Sequence, residues 1–354
     1  MPALSPRDAR LQLARDGGLL PQAGRIAVFR PTAQDWLAPL DAARLHLITG
    51  FRPDHDALSA RGYDCATTPE GRYAAALVCL PRARAAARDL IAQAVGCSDG
   101  PVLIDGQKTD GIDALLRECR ALAGEGRAEV GAPLVKGHGR LFSLNAAPDA
   151  LASWRAGRTE VAPGFVTLPG VFSADGIDPG SAALAAALPE RLPPRMADLG
   201  AGWGWLSAQV LARAGVEHLD LVEAEAAALD CARANIADPR ARFHWADATG
   251  FAPEAPLDGV VMNPPFHSAR AADPALGTAF IAAAARMLRP QGVLWMVANR
   301  HLPYAPVLER HFREIAELPC PASAYRLTRA AGPRRTPAPS PATGRVPIRR
   351  RRRG

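Results

Sequence analysis

Short apolar runs, separated by alanine-rich stretches and turn residues, organise the second half of this chain. The runs cover residues 196–199, 219–222, 243–246, 257–262 and 293–298. Runs of this length between turn signals are typical of buried strands, and strands that alternate with helices form a parallel sheet. The pattern therefore predicts an α/β fold for this half.

The alanine-rich stretches predict helices, because alanine has the highest helix propensity. They lie at residues 182–188, 206–214, 224–236 and 277–288. The sequence Arg-Pro-Gln-Gly at residues 289–292 predicts a turn after the last helix, and residues 325–329 predict a final antiparallel strand.

The first half repeats this order of apolar runs, with strands predicted at residues 24–30, 45–49, 75–82 and 101–108. Its polar signals differ from those of the second half. Pro31 follows the first run where a glycine turn would be needed, and Leu80 and Pro81 end the third run without an asparagine. We therefore expect residues 1–150 to be a degenerate copy of the same fold that recognises substrate or supports the second half.

Four polar side chains come at or near the ends of successive runs of the second half. They are Asp198, Glu223, Asp247 and Asn263, separated by 25, 24 and 16 residues. These spacings match strand–helix units, and open parallel sheets bind ligands at the carboxyl ends of their strands. The sequence predicts one site from these four groups, in which Glu223 is placed to bind both hydroxyls of a ribose.

A glycine-rich turn follows the first of these runs. Gly200, Gly202 and Gly204 precede a predicted helix, and glycine takes positive φ and lets a backbone approach a ligand closely. The turn is therefore expected to bind a polar or charged ligand group. Trp203 stands between two glycines, so its indole must point away from such a ligand or pack on a neighbouring element.

Residues 263–267 read Asn-Pro-Pro-Phe-His and close the run at 257–262. The Asn263 side-chain oxygen and the Pro264 carbonyl are acceptors in a rigid frame, since Pro264 and Pro265 have a fixed φ and no N–H. Two acceptors that take the hydrogens of a base amine favour pyramidalisation of its nitrogen, and Phe266 can stack on the base. The plainer interpretation is a strand-ending turn, because Asn-Pro is a common turn dipeptide.

This order of signals resembles the class I S-adenosylmethionine-dependent methyltransferases, and the Asn-Pro-Pro-Phe form is similar to those that methylate amino groups. Residues 167–181 and 297–304 extend the likeness to the bacterial ribosomal RNA guanine-N2 methyltransferases, in particular to those of the small subunit. The resemblance is dense from about residue 167 to residue 329 and thin before that.

The resemblance implies two tandem Rossmann-like methyltransferase domains. Residues 1–150 would form the degenerate domain, 151–181 a linker and cofactor lid, 182–331 the catalytic domain, and 332–354 a disordered basic tail. We also expect a hinge between the halves, at residues 163–180.

S-adenosylmethionine is the implied cofactor, and the small ribosomal subunit or its RNA is the implied partner. The glycine turn at residues 200–204 would wrap the methionine end of the cofactor, with Asp198 fixing that turn. Glu223 would take the ribose hydroxyls and Asp247 the adenine amine. The target guanine would be held by the residues of the Asn-Pro-Pro-Phe motif: Asn263, Pro264, Pro265 and Phe266.

Three alternatives stay open. A large-subunit guanine-N2 methyltransferase shares the motif and the two-domain pattern. A glutamine-methylating enzyme that acts on a release factor also uses Asn-Pro-Pro, usually with Tyr in place of Phe266, and the first half disfavours it. A non-catalytic rRNA-binding assembly factor is disfavoured by the glycine turn and Asn263.

The positive charge of the chain lies in its last residues. Residues 332–354 contain eight arginines and no acid, so the formal net charge of +7 leaves −1 for residues 1–331. Proline, serine and glycine make up much of the rest of this tail, a composition that buries too little apolar surface to fold. Its arginines are expected to bind RNA phosphates and not to choose the target base; the alternative is a dispensable solubilising tail.

Composition disfavours membrane and exported proteins. No stretch of about 18 apolar residues lacks charge or proline, and the N-terminus has no apolar signal core. The six cysteines are scattered, without a Cys-x-x-Cys pair or a histidine cluster at metal spacing. We therefore expect free thiols, no metal site and a cytoplasmic location.

Overall fold

Two large sheets, one in each half of the chain, carry the fold. The structure is a computed structural model that describes residues 5–265, 267–268, 271–272 and 274–335. The strands of the first half are β1 (Ile26–Phe29), β2 (Leu45–Ile48), β3 (Asp64–Ala66), β4 (Ala75–Cys79), β5 (Val102–Gln107), β6 (Ala128–Val130), β7 (Leu134–Lys136) and β8 (Gly139–Ala146). Its helices are α1 (Pro6–Asp16), α2 (Arg52–Ser59), α3 (Arg84–Cys97) and α4 (Ile112–Gly124).

The second half follows after a short hairpin. The hairpin strands are β9 (Thr159–Ala162) and β10 (Phe165–Thr167). The later strands are β11 (Arg195–Leu199), β12 (His218–Glu223), β13 (Ala241–Trp245), β14 (Leu257–Met262), β15 (His267–Ser268), β16 (Ala271–Ala272), β17 (Leu288–Asn299), β18 (Phe312–Leu318) and β19 (Tyr325–Pro333). The helices are α5 (Pro179–Ala187), α6 (Trp205–Leu211), α7 (Ala226–Asn235), α8 (Pro274–Met287) and α9 (Ala305–His311).

The two large sheets have equivalent strand orders. The first runs β3-β2-β1-β4-β5-β8-β6, with β7 also paired to β8, and the second runs β13-β12-β11-β14-β17-β19-β18. In each order the first five strands pair in parallel, and the sixth and seventh strands each join their neighbour by antiparallel pairing. This confirms the predicted α/β fold and the antiparallel final strand.

Helices cover both faces of the second sheet, which explains its nearly continuous apolar strands. Leu184 of α5 and Val210 of α6 pack with Val261 in one buried cluster. Ile281 of α8 packs with Val260 in a second cluster on the other face. Successive residues of β14 therefore point into different cores, so neither face of this strand tolerates a polar side chain at low cost.

Two features depart from the sequence-based expectation. The turn predicted at residues 289–292 is wrong, because these residues lie inside β17. Leu288 pairs with Leu257 and Val293 pairs with Gly259, so the residues between them form a bulge. The last strand also continues to Pro333, two residues into the segment predicted as a disordered tail.

All six cysteines are free thiols, as expected. Burial raises the pKa of both Cys79 and Cys119 to about 12, so these thiols are protonated and unreactive at neutral pH. Among the described residues, no helix is long and apolar enough to cross a membrane.

Candidate functional site

The carboxyl ends of four neighbouring strands meet at one edge of the second sheet. The strands β13, β12, β11 and β14 are adjacent and parallel in that order. Asp198 lies near the end of β11, Glu223 ends β12, Asp247 lies two residues beyond β13, and Asn263 directly follows β14. The structure thus places the four predicted side chains at the edge where open sheets bind ligands.

The glycine turn combines close packing on one side with open space on the other. Gly200, Gly202 and Gly204 have φ values of 77°, 56° and 88°, in the left-handed region that favours glycine. A Cβ at position 204 would lie 2.9 Å from Cδ1 of Ile236, so this glycine lets the turn pack against the end of α7. A Cβ at position 202 would meet no atom within 4 Å, so Gly202 borders open space.

Glu223 ties the end of β12 to this turn. Its Oε2 accepts a hydrogen bond from the Gly202 N–H at 2.8 Å, and its Oε1 accepts one from the Glu225 N–H at 2.7 Å. Burial raises the pKa of Glu223, and these hydrogen bonds oppose that effect by stabilising the ionised form. Each carboxylate oxygen keeps a further lone pair for a ligand.

Asp198 is buried beneath the turn, with 1% of its surface exposed. Ser207 of α6 donates to its Oδ2 at 2.6 Å, and its Oδ1 has no hydrogen-bond partner among the described residues. Burial and, secondarily, the charge of Glu223 raise the pKa of Asp198 to about 7. Asp198 therefore anchors the helix that follows the turn and leaves one polar atom unsatisfied.

Asp247 is bonded within its own loop. Its Oδ1 accepts hydrogen bonds from the Thr249 N–H at 2.8 Å and the Thr249 hydroxyl at 2.7 Å. These bonds fix the direction of the carboxylate at the end of the outermost strand. The side chain is partly exposed, so it remains accessible to a ligand.

The Asn263 amide is held by two groups at the start of α5. Its Nδ2 donates to Asp178 Oδ2 at 2.8 Å and to Ser181 Oγ at 2.9 Å. Among the described residues, none donates to its Oδ1. Pro264 is buried and Pro265 is exposed. Phe266, the fourth predicted residue of this motif, lies outside the described residues.

The Trp203 indole packs on neighbouring elements, which is one of the two arrangements expected from its position between two glycines. It lies 4% exposed in a cluster with Val171 and Phe165, and its ring meets that of Phe165 edge-on at a centroid distance of 5.8 Å. Its Nε1 donates to the Phe172 carbonyl at 3.1 Å. The large side chain therefore fastens the glycine turn to the segment that precedes α5.

One pocket brings part of the predicted site together. Gly200, Gly202 and Asn263 line it with Asp178 and Ser181. Asp198, Glu223 and Asp247 lie outside this lining, although they share the same sheet edge. The pocket therefore joins the glycine turn directly to the asparagine of the Asn-Pro-Pro motif.

Sequence comparison identifies relatives of this site. A family model described as the methyltransferase small domain matches residues 163–328. The chain is 31% identical over 258 residues to the ribosomal RNA small subunit methyltransferase C of Pseudomonas paraeruginosa, covering 70% of this chain and 77% of the relative. It is 32% identical over 264 residues to the protein of the same name from Ectopseudomonas mendocina, covering 70% and 78%.

A solved structure shares this fold over most of the chain. This structure is of the T. thermophilus 16S rRNA N2 G1207 methyltransferase (RsmC) in complex with AdoMet and guanosine. The match has a TM-score of 0.74 and 28% identity, and covers 92% of both chains. The chain belongs to the ribosomal RNA small subunit methyltransferase C family. The resemblance inferred from the motifs is therefore confirmed.

In this member of the methyltransferase C family, the strand-end residues were predictable from the sequence, whereas the two residues that hold Asn263 were not predicted. Asp178 and Ser181 lie in a segment that carried the resemblance, but no role was predicted for them. The sequence does carry a signal for Asp178, because Asp-Pro-Gly-Ser before an alanine-rich stretch is typical of a helix start with an acidic N-cap. In the segment at residues 297–304, which also carried the resemblance, Tyr304 is buried against Gly277 and His301 is exposed.

The buried Asp198 predicts a pH dependence of stability. Its folded pKa of about 7 exceeds the ordinary value of 3.8, so between these pH values the folded chain keeps a proton that the unfolded chain has released. Stability therefore falls as pH rises through this window. Asp198→Asn should remove this contribution, with a slope difference of up to about 1.4 kcal/mol per pH unit.

Urea unfolding of both proteins at pH 5 and pH 7.5 measures this difference. The variant should gain stability relative to the wild type at the higher pH. An equal difference at both pH values would show that Asp198 is already ionised in the folded chain.

Proposed function

We propose that this chain transfers a methyl group from S-adenosylmethionine to the exocyclic N2 amine of a guanine in 16S ribosomal RNA. The observation that carries the proposal is the pocket shared by the glycine turn and Asn263. The T. thermophilus relative is titled as a complex with AdoMet and guanosine, so a related fold holds both kinds of ligand. The names of the relatives favour the small subunit over the large subunit and over a release factor.

The residues at the turn fit the cofactor. The backbone at Gly202 borders open space, and Asp198 beneath it keeps an unpartnered buried oxygen. We assign the methionine end of the cofactor to Gly200, Gly202 and Gly204. Glu223 then accepts from the ribose hydroxyls and Asp247 from the adenine amine. The bound cofactor supplies an electrophilic methyl group on a sulfonium.

Asn263 and Pro264 act on the amine of the guanine. That nitrogen is a poor nucleophile while its lone pair is delocalised into the ring. The Asn263 Oδ1 and the Pro264 carbonyl each accept one N–H, which favours a pyramidal nitrogen whose lone pair can attack. The nitrogen–carbon bond forms as the sulfur–carbon bond breaks, and the amine then loses a proton to water. Positioning and polarised hydrogen bonds supply most of the acceleration.

Phe266 and Pro265 complete the proposed guanine site. Phe266 is assigned to stack on the base, and Pro265 keeps the motif rigid because its φ is fixed. A base inside folded RNA must leave its stack to reach such a pocket. The rigid motif spares the chain the entropy of ordering this segment on binding.

We assign residues 1–150 to substrate recognition or support, because the first sheet lacks the cofactor groups. The register identifies equivalent positions: Arg30 N–H donates to the Ile48 carbonyl at 2.8 Å, as Gly200 N–H donates to the Val222 carbonyl at 2.9 Å. The two sheets align strand by strand from there. Four positions of the first half are thus equivalent to site positions of the second half. Val28 corresponds to Asp198, Arg30 to Gly200, Thr49 to Glu223, and Cys79 to Asn263.

Arg30 occupies the position that is equivalent to Gly200 of the glycine turn. It has a φ of 55°, so the backbone kept the left-handed turn although glycine is gone. Nearby, the partly buried Arg7 pairs with Asp35 and Asp105, and both the pKa of Cys79 and its burial exclude a thiolate there. Ion pairs within the chain occupy polar groups that a ligand would otherwise meet. Residues 151–181 then link the halves, and residues 182–331 form the catalytic domain.

The arginines of residues 332–354 are assigned to RNA phosphates. Residues 336–354 lie outside the described residues, so the assignment rests on composition. Phosphate contacts raise affinity and encounter rate without reading sequence. A protein that acts on ribosomal RNA is expected in the cytoplasm.

Asn263→Ala tests the proposed chemistry. The variant should lower kcat by about 100-fold or more, since it removes a preorganised group that acts on the reacting nitrogen, while cofactor affinity changes little. Methylated guanosine is measured by mass spectrometry of nucleosides from 16S rRNA, and cofactor affinity by calorimetry. Equal losses in turnover and in cofactor affinity would contradict the role given to Asn263.

Gly202→Val tests the cofactor assignment. The added side chain would enter the open space beside the turn, and a β-branched residue is strained at a φ of 56°. Calorimetric binding of S-adenosylmethionine should be lost while the unfolding transition remains cooperative. A folded variant that still binds the cofactor with the wild-type Kd would show that the ligand lies elsewhere.

Removal of residues 336–354 tests the tail. Binding to 16S rRNA should weaken at low salt, and the slope of log affinity against log salt should fall by about 0.7 for each phosphate that the tail neutralises in the full chain. Fluorescence anisotropy across a salt series measures both, and kcat at saturating RNA should not change. An unchanged salt slope would support a tail that only keeps the protein in solution.

A further inference from the structure

We propose that Asp178 is a positioning residue that locks the Asn263 amide in one of its two orientations. In that orientation Nδ2 faces the start of α5, and Oδ1 is left as the acceptor for the target amine. The proposal deepens the proposed function and rests on it. It assigns a role in the reaction to a side chain 85 residues away in the sequence.

The lock is needed because an asparagine has two nearly equal ends. Oδ1 only accepts hydrogen bonds and Nδ2 only donates them, while rotation about χ2 exchanges the two with little steric change. A flipped Asn263 would present N–H hydrogens to an amine that also presents N–H hydrogens. Its contribution to activating the amine would then be lost, although the shape of the site would hardly change.

Asp178 discriminates between the two orientations. Its Oδ2 lies 2.8 Å from Asn263 Nδ2 and also accepts from the Ser181 N–H at 2.7 Å. A carboxylate oxygen has no hydrogen to offer, so a flipped amide would set two acceptors against each other. Ser181 Oγ lies 2.9 Å from the same Nδ2, but a hydroxyl can donate as well as accept. Ser181 alone would therefore tolerate the flip.

The helix α5 fixes the discriminating carboxylate. Asp178 is the N-cap of α5 and Pro179 occupies the first helical position, both favoured at a helix start. A Cβ on Gly180 would lie 3.0 Å from Asp178 Oδ2 and 3.1 Å from Cε1 of Tyr325. Glycine at this position therefore lets the Tyr325 ring close over the cap. Leu184 anchors the helix in the core at 0% exposure.

Two substitutions at position 178 separate positioning from helix capping. Asparagine and serine both serve as N-caps about as well as aspartate. Asp178→Asn keeps a side-chain oxygen at the length that reaches Asn263. Asp178→Ser keeps the N-cap, but its oxygen is bonded to Cβ instead of Cγ. The shorter side chain no longer reaches the Asn263 amide.

The expected result is a difference in kcat between these two variants. Asp178→Ser should lower kcat about tenfold or more with the Kd for S-adenosylmethionine unchanged, and Asp178→Asn should stay within about threefold of the wild type. Equal kcat for the two variants, at equal unfolding midpoints, would overturn the proposal, because capping alone would then account for Asp178.

The effect of Asp178→Ser on kcat should differ when position 263 carries aspartate instead of asparagine. Asn263→Asp has two equivalent oxygens, so its orientation carries no information, and its carboxylate faces that of Asp178. Adding Asp178→Ser to Asn263→Asp should therefore raise kcat or leave it unchanged. A further loss of the size seen in the Asn263 background would show a purely structural role and would overturn the proposal.

The orientation can also be measured without turnover. The chain has four asparagines (Asn145, Asn235, Asn263 and Asn299), so selective 15N-asparagine labelling of the full chain gives few side-chain amide signals. The Asn263 amide should exchange its hydrogens slowly in the wild type and in Asp178→Asn, and faster in Asp178→Ser.

Asn235 is the internal control for this measurement. Its Nδ2 donates to the Val166 and Trp203 carbonyls, and its Oδ1 accepts from the Val166 N–H. Its exchange should be the same in all three proteins. Fast Asn263 exchange in the wild type would overturn the lock itself. Slow exchange in a chain that methylates no guanine would instead retain the lock and reject the proposed function.

Discussion

The parallel pairing of β11 with β12 on one side and with β14 on the other is the constraint on which the site depends. Leu199 lies opposite both Val222 and Met262, so the three strands end at the same level. The glycine turn must then pass between Glu223 and Asn263. A slip of one residue in either register would turn the strand's side chains to the opposite face. Backbone hydrogen bonds and apolar burial therefore set the geometry before any polar side chain contributes.

The two halves meet beside the same sheet edge. Arg52 N–H donates to the Ala224 carbonyl at 2.8 Å, and Ala226 N–H donates to the Gly50 carbonyl at 2.9 Å. Trp245 Nε1 donates to the Gly50 and Ala224 carbonyls, and the Arg52 guanidinium lies over its ring at 4.7 Å. These contacts hold the loop that follows the ribose acid of the proposed site. The first half therefore contacts the loop that follows Glu223, which would let it support the proposed site.

Strands, helices and turns that depend on neighbouring residues were largely predictable from local signals in the sequence. In the second half, apolar runs predicted β11, β12, β13, β14 and β17, alanine-rich stretches predicted the helices α5 to α8, and the glycines predicted a turn with positive φ. Neither β18 nor α9 was predicted. Contacts between distant segments were not predictable in this way. The bond from Asn263 to Asp178 depends on where α5 lies over the sheet, and the Trp203 indole depends on the hairpin that it packs against. The bulge at residues 289–292 escaped prediction because its turn residues are also compatible with an irregular strand, and pairing with β14 decided between the two.

The electrostatics of the turn give a reason for the unsatisfied acid beneath it. Asp198 keeps an unpartnered buried oxygen, and the nearby charge of Glu223 adds to burial in raising its pKa. A buried acid with an unpartnered oxygen lowers the stability of the folded chain, and strongly perturbed acids cluster at functional sites. S-adenosylmethionine carries a sulfonium and an ammonium, and a nearby cation would lower the pKa of both acids. If Asp198 and Glu223 lie beside the sulfonium as in the proposed site, they would attract the product less than the substrate, because methyl transfer leaves a neutral thioether. In the proposed site, the field that favours binding of the donor would therefore also favour release of the spent cofactor.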